Sequence, residues 1–231
     1  MRFVKHILFG LILIYTSMWG QINLLVGSMG HDKALVTVVE NAKLTDLIWQ
    51  KTNVEIKTIK IAESDRPYGM MVGIPGRPQL LLSRGLYDNF APDEVEYVVL
   101  HEAGHYALAH SVKELLLGLL LLVVGIWALK RTRKPARGIV GAITLGLIFG
   151  VAMIRLGAFN ELQADNYAVT RMTNPEGMIA ATEKFRGHYG KSLTQNDNKL
   201  IQWMFYRGNP YDNRIKIAEE EMEKRGELQV N

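Results

Sequence analysis

The residues His101, Glu102 and His105 form the motif H-E-x-x-H, the strongest chemical signal in this chain of 231 residues. On a helix, side chains four residues apart lie on one face, so both imidazoles can reach one ion. Catalytic zinc takes neutral imidazole nitrogens and keeps an open position for water. The motif therefore predicts zinc held by His101 and His105, with Glu102 as the base toward that water. The alternative is a chance match on a solvated helix face.

A third metal ligand is needed, and the residues after the motif exclude one class of zinc enzyme. A metzincin carries glycine and histidine three and six residues after the second histidine, where this chain has Leu108 and Ser111. Glu161 is the better candidate, because Asp165 follows it four residues later on the same helical face. Asp165 can accept a hydrogen bond from the second ring nitrogen of a ligating histidine. For this pair taken alone, a solvated helix face is the alternative.

The motif requires a helix, and the sequence predicts one independently. Pro92 suits the first helical position, and the acidic residues after it complement the helix dipole. We expect the helix to start near Ala91 and to run at least to His110. The chain contains no cysteine, so thiolate metal sites and disulfides are excluded. One Zn²⁺ per chain, bound by histidine and carboxylate, is therefore the expected cofactor.

Three uncharged apolar blocks divide the chain, at residues 7–30, 115–129 and 138–154. The last two have no amphipathic stripe and predict transmembrane helices, with a pair of buried core helices as the alternative. Two spans, at about residues 112–157, return Glu161 to the membrane face of His105, as a shared metal requires. We therefore predict a zinc domain over residues 31–231 that this hairpin interrupts. His110, which lies off the ligand face of a straight helix, is interpreted as an ordinary polar residue near the membrane surface.

Residues 1–30 are predicted to form an N-terminal transmembrane anchor. Arg2 and Lys5 precede the first apolar block, which is long enough to span a bilayer. A cleaved signal peptide is the alternative, with Ser28 and Gly30 as small residues near a cleavage point. Both arrangements place the motif helix on the outer side of the membrane.

Basic residues are concentrated where they report on membrane topology. The net charge is +4, and five basic residues lie between the second and third apolar blocks, at Lys130, Arg131, Arg133, Lys134 and Arg137. Short loops rich in lysine and arginine stay cytoplasmic, so we expect a multi-pass protein of the cell or inner membrane with an extracytoplasmic active site. No basic stripe with interleaved aromatic residues occurs elsewhere, so no nucleic-acid partner is expected.

The remaining segments predict a mixed domain. Residues 32–49 have apolar residues at helical spacing, and residues 54–62 alternate as a strand. Two short apolar runs, 68–72 and 79–83, flank the turn GIPGRP and predict a hairpin. Further helices are expected over residues 161–171, 175–185, 200–206 and 213–225. The predicted fold class is α+β, with a small antiparallel sheet, a helix bearing H-E-x-x-H and transmembrane helices.

The order of the motifs resembles the membrane gluzincins of the HtpX and CAAX prenyl protease family, metallopeptidase family 48. Members combine a strand end containing Gly-Leu, a helix with H-E-x-x-H and a later E-x-x-x-D. Here these are residues 83–86, His101 to His105, and Glu161 to Asp165. The resemblance implies a zincin-like peptidase domain in which zinc is bound by His101, His105 and Glu161. It also implies Glu102 as the base and Asp165 as the support of a ligand.

Three departures from the family pattern bear on the site. Relatives carry His-Pro followed by arginine, whereas this chain has Gly208-Asn209-Pro210 and Arg214. Arg214 is the candidate for an oxyanion or substrate contact, and a helix-surface salt bridge to Asp212 or Glu219 is the alternative. Relatives carry Asn-Ala-Phe-Ala where this chain has Pro67-Tyr68-Gly69-Met70. Relatives of the HtpX type have two spans before the motif helix and imply a cytoplasmic site, whereas this chain has one.

Together these patterns predict a zinc-dependent endopeptidase that acts on protein or peptide substrates at a lipid bilayer. An extended substrate is expected to pair with the edge strand at Tyr68, Gly69 and Met70. Backbone pairing selects little for sequence, which suits unfolded or membrane-associated polypeptides. A non-catalytic zinc-stabilised scaffold or sensor is the alternative from another class, and an intramembrane zinc protease is a second enzymatic alternative. The presence of Glu102 favours catalysis, since a structural zinc site needs no base.

Overall fold

The structure of the chain is a computed structural model that describes residues 4–12, 36–74, 76–132, 134–190, 198–205 and 208–226. Its strands are β1 (Val36–Val39), β2 (Ile59–Ala62), β3 (Gly69–Ile74) and β4 (Arg77–Ser83). Its helices are α1 (residues 4–12), α2 (Ala42–Thr52), α3 (Arg84–Asn89), α4 (Pro92–Ala107), α5 (His110–Lys130), α6 (Pro135–Val169), α7 (Glu176–Tyr189), α8 (Lys199–Phe205) and α9 (Tyr211–Arg225). These elements divide between two compact units.

The first unit contains the apolar helices and comprises the described parts of Met1–His31, Ser111–Phe159 and Asn196–Arg207. Two helices, α5 and α6, are long and apolar enough to cross a membrane, each with a mean hydropathy of 2.2. Only 11% and 22% of their most apolar stretches are buried in the protein. Such exposure agrees with lipid-facing helices and disfavours the alternative of buried core helices.

Helix α1 packs against apolar helices of the same unit. The Lys5 ammonium donates to the carbonyl oxygen of Leu129 near the end of α5, at 2.5 Å. Phe9 is fully buried, and its ring occupies the space beside Gly125, where a Cβ atom would lie 2.0 Å from Phe9. Close packing of α1 thus depends on a glycine in α5. The rest of the predicted first span, residues 13–30, lies outside the described residues.

The second unit contains the sheet and comprises the described parts of Asp32–His110, Asn160–Gln195 and Gly208–Asn231. The strand order is β1-β2-β4-β3, and β2 and β4 are parallel while the other two pairs are antiparallel. The sheet is therefore mixed rather than purely antiparallel as predicted. The connection over residues 63–68 runs from β2 to β3 at the outer edge of the sheet and leaves the position beside β2 to β4. The hairpin of β3 and β4 then returns beside β2 in the same direction.

Helix α4 lies in the core of the second unit. It packs against α2, α7 and β3. Alternating residues of β2 and β4 are almost fully buried in the same core, namely Ile59, Ile61, Leu80 and Leu82. Burying an aliphatic side chain of this size contributes about 1.5–3 kcal/mol, so the sheet holds α4 firmly in place.

The predicted helix over residues 32–49 is wrong at Val36–Val39. Val36–Val39 forms β1, and α2 begins only at Ala42. The run VTVV is rich in β-branched residues, which favour a strand. Asn41 then caps α2, because its side chain accepts a hydrogen bond from the Leu44 amide at 3.1 Å. The predicted strand over 54–62 is likewise shorter and is limited to β2.

The motif helix ends earlier than predicted. Helix α4 stops at Ala107, and α5 begins at His110 as a separate element. Between them Ala109 adopts a φ of 53°, a left-handed conformation that a right-handed helix cannot contain. His110 is therefore not carried on a straight continuation of α4, which changes what its side chain can contact.

Candidate metal centre

Helix α4 presents the two histidines of the motif one turn apart. Pro92 begins the helix, and Glu94 closes its first turn by accepting a hydrogen bond from the Ala91 amide at 2.7 Å. The Nε2 atoms of His101 and His105 lie 3.1 Å apart. Both rings therefore direct Nε2 to one point, as the four-residue spacing predicts.

Glu161 supplies a third donor from α6. One carboxylate oxygen lies 3.4 Å from His101 Nε2, and the other lies 3.5 Å from His105 Nε2. Donors bound to tetrahedral zinc at about 2.0–2.2 Å stand about 3.4 Å from one another, so these separations fit that ion. Across the described ranges, His101, His105 and Glu161 are the one group of three side chains identified as able to hold a metal.

Asp165 supports His101 from the side opposite the metal position. Its Oδ1 lies 2.8 Å from His101 Nδ1, and the carboxylate is fully buried. It also accepts hydrogen bonds from the Tyr97 hydroxyl at 2.7 Å, the Asn209 amide at 2.9 Å and Arg214 Nε at 3.0 Å. With the Nδ1 proton of His101 directed to a carboxylate, the Nε2 lone pair is left for a metal.

Asn209 is a site residue to which sequence analysis gave no role. It is 7% exposed and stands immediately before Pro210, where the family resemblance leads one to expect histidine. The structure brings its amide to Asp165, so an amide donor takes this position. The Asn-Pro pair was the available signal, but nothing in the sequence indicates which carboxylate the amide meets.

His110 is the clearest correction to the predicted site. It is only 2% exposed, and its Nδ1 lies 2.9 Å from His105 Nδ1. Its Nε2 lies 3.2 Å from the side-chain oxygen of Gln163. If His105 keeps Nε2 free for a metal, its Nδ1–H donates to His110, and His110 Nε2–H donates to Gln163. The turn at Ala109 brings His110 to His105, a contact that a straight helix would not allow.

Arg214 joins the two carboxylates of α6. Its Nη2 donates to Glu161 at 3.2 Å, while Nε donates to Asp165. The alternative partner Asp212 is bonded to Arg186 instead. Burial lowers the pKa of Arg214, but the charges of Asp165 and Glu161 outweigh burial and raise it, so the guanidinium stays charged. A contact with a substrate oxygen remains a prediction for this residue.

Glu102 faces the edge strand β3. Its Oε2 accepts a hydrogen bond from the Met71 amide at 3.1 Å, so this N–H points away from β4. Alternate residues of an antiparallel strand face the same edge, and Gly69 therefore shares the free edge with Met71. Of the three predicted edge residues, Tyr68 and Gly69 line the cleft, and Met70 is not among its lining residues.

A cleft of about 230 Å³ adjoins these groups, and Glu102, Glu161 and Arg214 all contribute to its wall. The close approach of β3 to α4 depends on Gly69. A Cβ atom at this position would lie 2.7 Å from the Val98 side chain, which is closer than packed atoms tolerate. The glycine thus lets the edge strand lie directly beside Glu102.

The charges of the cluster suit metal binding. Burial and the nearby charge of His101 lower the pKa of His105 to about 3, which keeps this ring neutral. Burial also lowers the pKa of His101, but the carboxylates of Asp165 and Glu161 outweigh it and raise the pKa to about 10. Burial raises the pKa of Glu102 to about 7, near the value that a general base needs at neutral pH. A metal at this site would therefore compete with a proton for His101 at neutral pH.

Comparisons with known proteins found similarity in sequence and in structure. A family model described as Peptidase family M48 matches residues 39–221. A curated protein described as Protease HtpX homolog, from Thermoplasma acidophilum, is 26% identical over 181 residues, covering 70% of this chain and 56% of that protein. The crystal structure of S. mikatae Ste24p matches with a TM-score of 0.66 at 15% identity, covering 94% of this chain and 58% of that chain.

These matches bear on the length and on the fold of the chain. The chain spans little more than half the length of both proteins. The structural likeness to Ste24p confirms the predicted fold class, an α+β zincin-like domain with transmembrane helices.

Proposed function

This chain belongs to peptidase family M48, and we propose from this premise that it is a zinc-dependent membrane endopeptidase. The observation that carries the proposal is the cluster of His101, His105 and Glu161, whose donor separations fit zinc. Glu102 stands next to this cluster and faces the cleft. The proposed reaction is hydrolysis of peptide bonds in protein substrates, with one Zn²⁺ per chain.

The proposed mechanism assigns a task to each side chain around the cluster. When bound, zinc supplies Lewis-acid polarisation and lowers the pKa of water. Glu102 accepts the proton of the attacking water and delivers it to the leaving amine, so no covalent enzyme intermediate forms. Asp165 and His110 hold the rings of His101 and His105 in position. Arg214, which lines the cleft, is our candidate to contact the substrate carbonyl oxygen as it becomes negative.

The alternatives are weaker on physical grounds. A structural zinc site of a scaffold or sensor is closed by a fourth protein ligand, whereas the cluster within the described part of the chain has three. A scaffold also does not require the Glu102 carboxylate, which faces a cleft beside an edge strand. An intramembrane protease would place the motif in an apolar span, but α4 begins with acidic residues and is a separate helix from α5.

We further propose that the substrate is an extended polypeptide paired with the free edge of β3. The backbone of Gly69 faces this edge, beside the Met71 amide that donates to Glu102. Pairing requires an unfolded segment, because a folded substrate has its backbone groups already bonded. Unfolded or membrane-associated proteins are therefore the proposed substrate class.

The function is tested by cleavage of an unfolded protein such as casein with the purified full chain. A strong zinc chelator is expected to stop cleavage, because the proposed mechanism needs zinc as its Lewis acid. Added zinc is expected to restore cleavage. A phenanthroline isomer that cannot chelate serves as the matched control and should leave cleavage unchanged. Cleavage that persists after zinc has been removed to below one tenth of an equivalent would overturn the proposal.

The proposed membrane arrangement follows the apolar helices. We propose that residues 1–30 anchor the chain and that the peptidase domain, residues 31–231, is interrupted by a transmembrane hairpin at about 112–157. The packing of Phe9 against Gly125 supports retention of α1 rather than its removal as a signal peptide. The basic connection between α5 and α6 supports a cytoplasmic location for that loop and an extracytoplasmic metal centre.

This topology predicts which single cysteines react in intact cells. The chain has no natural cysteine, so Lys57→Cys and Lys134→Cys each introduce one thiol. Both positions are exposed in the structure. An impermeant maleimide should modify the thiol at position 57 and spare that at position 134, and both should react after lysis. The reverse pattern in intact cells would place the metal centre in the cytoplasm and leave the zinc chemistry unaffected.

A further inference from the structure

Helix α8 of the first unit exposes large apolar side chains. Leu200 is 61% exposed, and Trp203 is 55% exposed. These residues are three apart and therefore share one face of the helix. Tryptophan and leucine on one exposed face are unfavourable in water, but tryptophan is enriched where a membrane meets water. This face therefore fits an environment that is partly apolar and partly polar.

Arg155 connects α8 to the end of an apolar stretch of α6. Its Nη1 donates to the carbonyl oxygen of Trp203 at 2.9 Å, and its guanidinium lies 5.5 Å from the centre of the Trp203 ring. Arg155 is the first charged residue after the uncharged residues 138–154. At about 1.5 Å per residue, this stretch is about 26 Å long, close to the thickness of about 30 Å for the hydrocarbon core. Helix α8 thus meets α6 where a span of this length leaves the hydrocarbon.

The same pairing of side chains occurs near the basic connection of the hairpin. Trp127 is 55% exposed, and the guanidinium of Arg131 lies 3.6 Å from the centre of its ring. One Trp-Arg pair therefore involves the end of α5 and the other involves Arg155 beyond the apolar stretch of α6. Aromatic and basic residues flank membrane spans in this way, whereas a protein partner on α8 would not account for the pair beside the basic connection.

We infer that α8 is an interfacial helix whose exposed face is covered by the lipid headgroup layer. Leu200 and Trp203 point to the acyl chains, and Lys199 and Arg155 lie near lipid phosphates. The inference rests on the proposed membrane insertion of α5 and α6.

The test uses nitroxide labels on single cysteines in the full chain, reconstituted in bilayers that contain anionic lipid. Leu200→Cys reports on the exposed face, and Lys199→Cys is the matched control about 100° around the same helix. Leu120→Cys, on the exposed side of α5, is the reference for hydrocarbon, and Lys57→Cys is the reference for water. Collision with oxygen and with a water-soluble nickel chelate is measured by electron paramagnetic resonance, because oxygen concentrates in lipid and nickel is excluded from it.

The ratio of oxygen to nickel collisions at position 200 is expected to lie above the ratio at position 199 and below the ratio at position 120. A ratio at position 200 equal to that at position 57 would overturn the inference while position 120 still supports membrane insertion. Protection of position 200 from both probes would also overturn it, because a protein would then cover α8. A water-like ratio at position 120 would overturn the proposed insertion itself and this inference with it.

Discussion

The substitution Glu102→Gln is expected to lower the rate of peptide hydrolysis by about 10²–10⁴-fold, the range that a positioned general base contributes. Glutamine has nearly the same size, and its amide oxygen can retain the hydrogen bond from the Met71 amide. It cannot accept the proton of the attacking water. The zinc content and the free energy of unfolding should therefore stay close to those of the unchanged chain, with the loss confined to turnover.

Two measurements made side by side check this expectation, namely casein cleavage and zinc content by mass spectrometry. Glu55→Gln is the matched control, since the Glu55 carboxylate is 69% exposed in the same unit. Hydrolysis at the unchanged rate in Glu102→Gln would remove Glu102 from the mechanism. Loss of zinc from that variant would instead assign Glu102 a structural role.

The substitution Glu161→Ala is expected to weaken zinc binding by more than about 100-fold, beyond the effect of changing an outer partner of a ligand. It removes the carboxylate that contacts both His101 and His105, and it leaves two donors where three fit the ion. A competition titration against a chromophoric zinc chelator measures the affinity. His188→Ala is the matched control, because His188 is exposed and lies outside the cluster.

A graded series makes this result more specific. Asp165→Asn and His110→Ala should each weaken zinc binding by about 10- to 100-fold, since each removes an acceptor behind a ligating ring. His110 belongs in this group because of its contact with His105, contrary to its interpretation from sequence as an ordinary polar residue. Stoichiometric and tight zinc in Glu161→Ala would exclude Glu161 as the third ligand. Unchanged affinity in His110→Ala would remove His110 from the site.

Local pattern alone was sufficient for the parts of the site that lie on one helix. The four-residue spacing of His101 and His105 follows from helix geometry, and Pro92 marks the start of α4 in both sequence and structure. Glu161 required one more step, because two apolar blocks imply a hairpin that returns the chain to the same face. The structure brings its carboxylate to both histidines. Their roles as ligands remain predictions.

Residue patterns predicted the wrong element where helix and strand compete for the same segment. The apolar spacing of residues 32–49 fits a helix, yet the β-branched run at Val36–Val39 pairs with β2 and becomes a strand. The sequence likewise could not predict that β4 pairs in parallel with β2, because a hairpin can join a sheet through either of its strands. In both cases pairing with a distant segment decides the outcome, and periodicity carries no information about that segment.

The sequence alone predicted the motif helix, the apolar hairpin and the third metal ligand, because each prediction follows from periodicity or from the length of a span. Only the tertiary structure showed that Asn209 meets Asp165, that Arg214 joins Glu161 to Asp165, and that the turn at Ala109 brings His110 to His105. These contacts join side chains through turns and packing between helices. A hydrogen bond needs its atoms within about 3 Å, and no sequence period specifies positions that closely for residues on different elements.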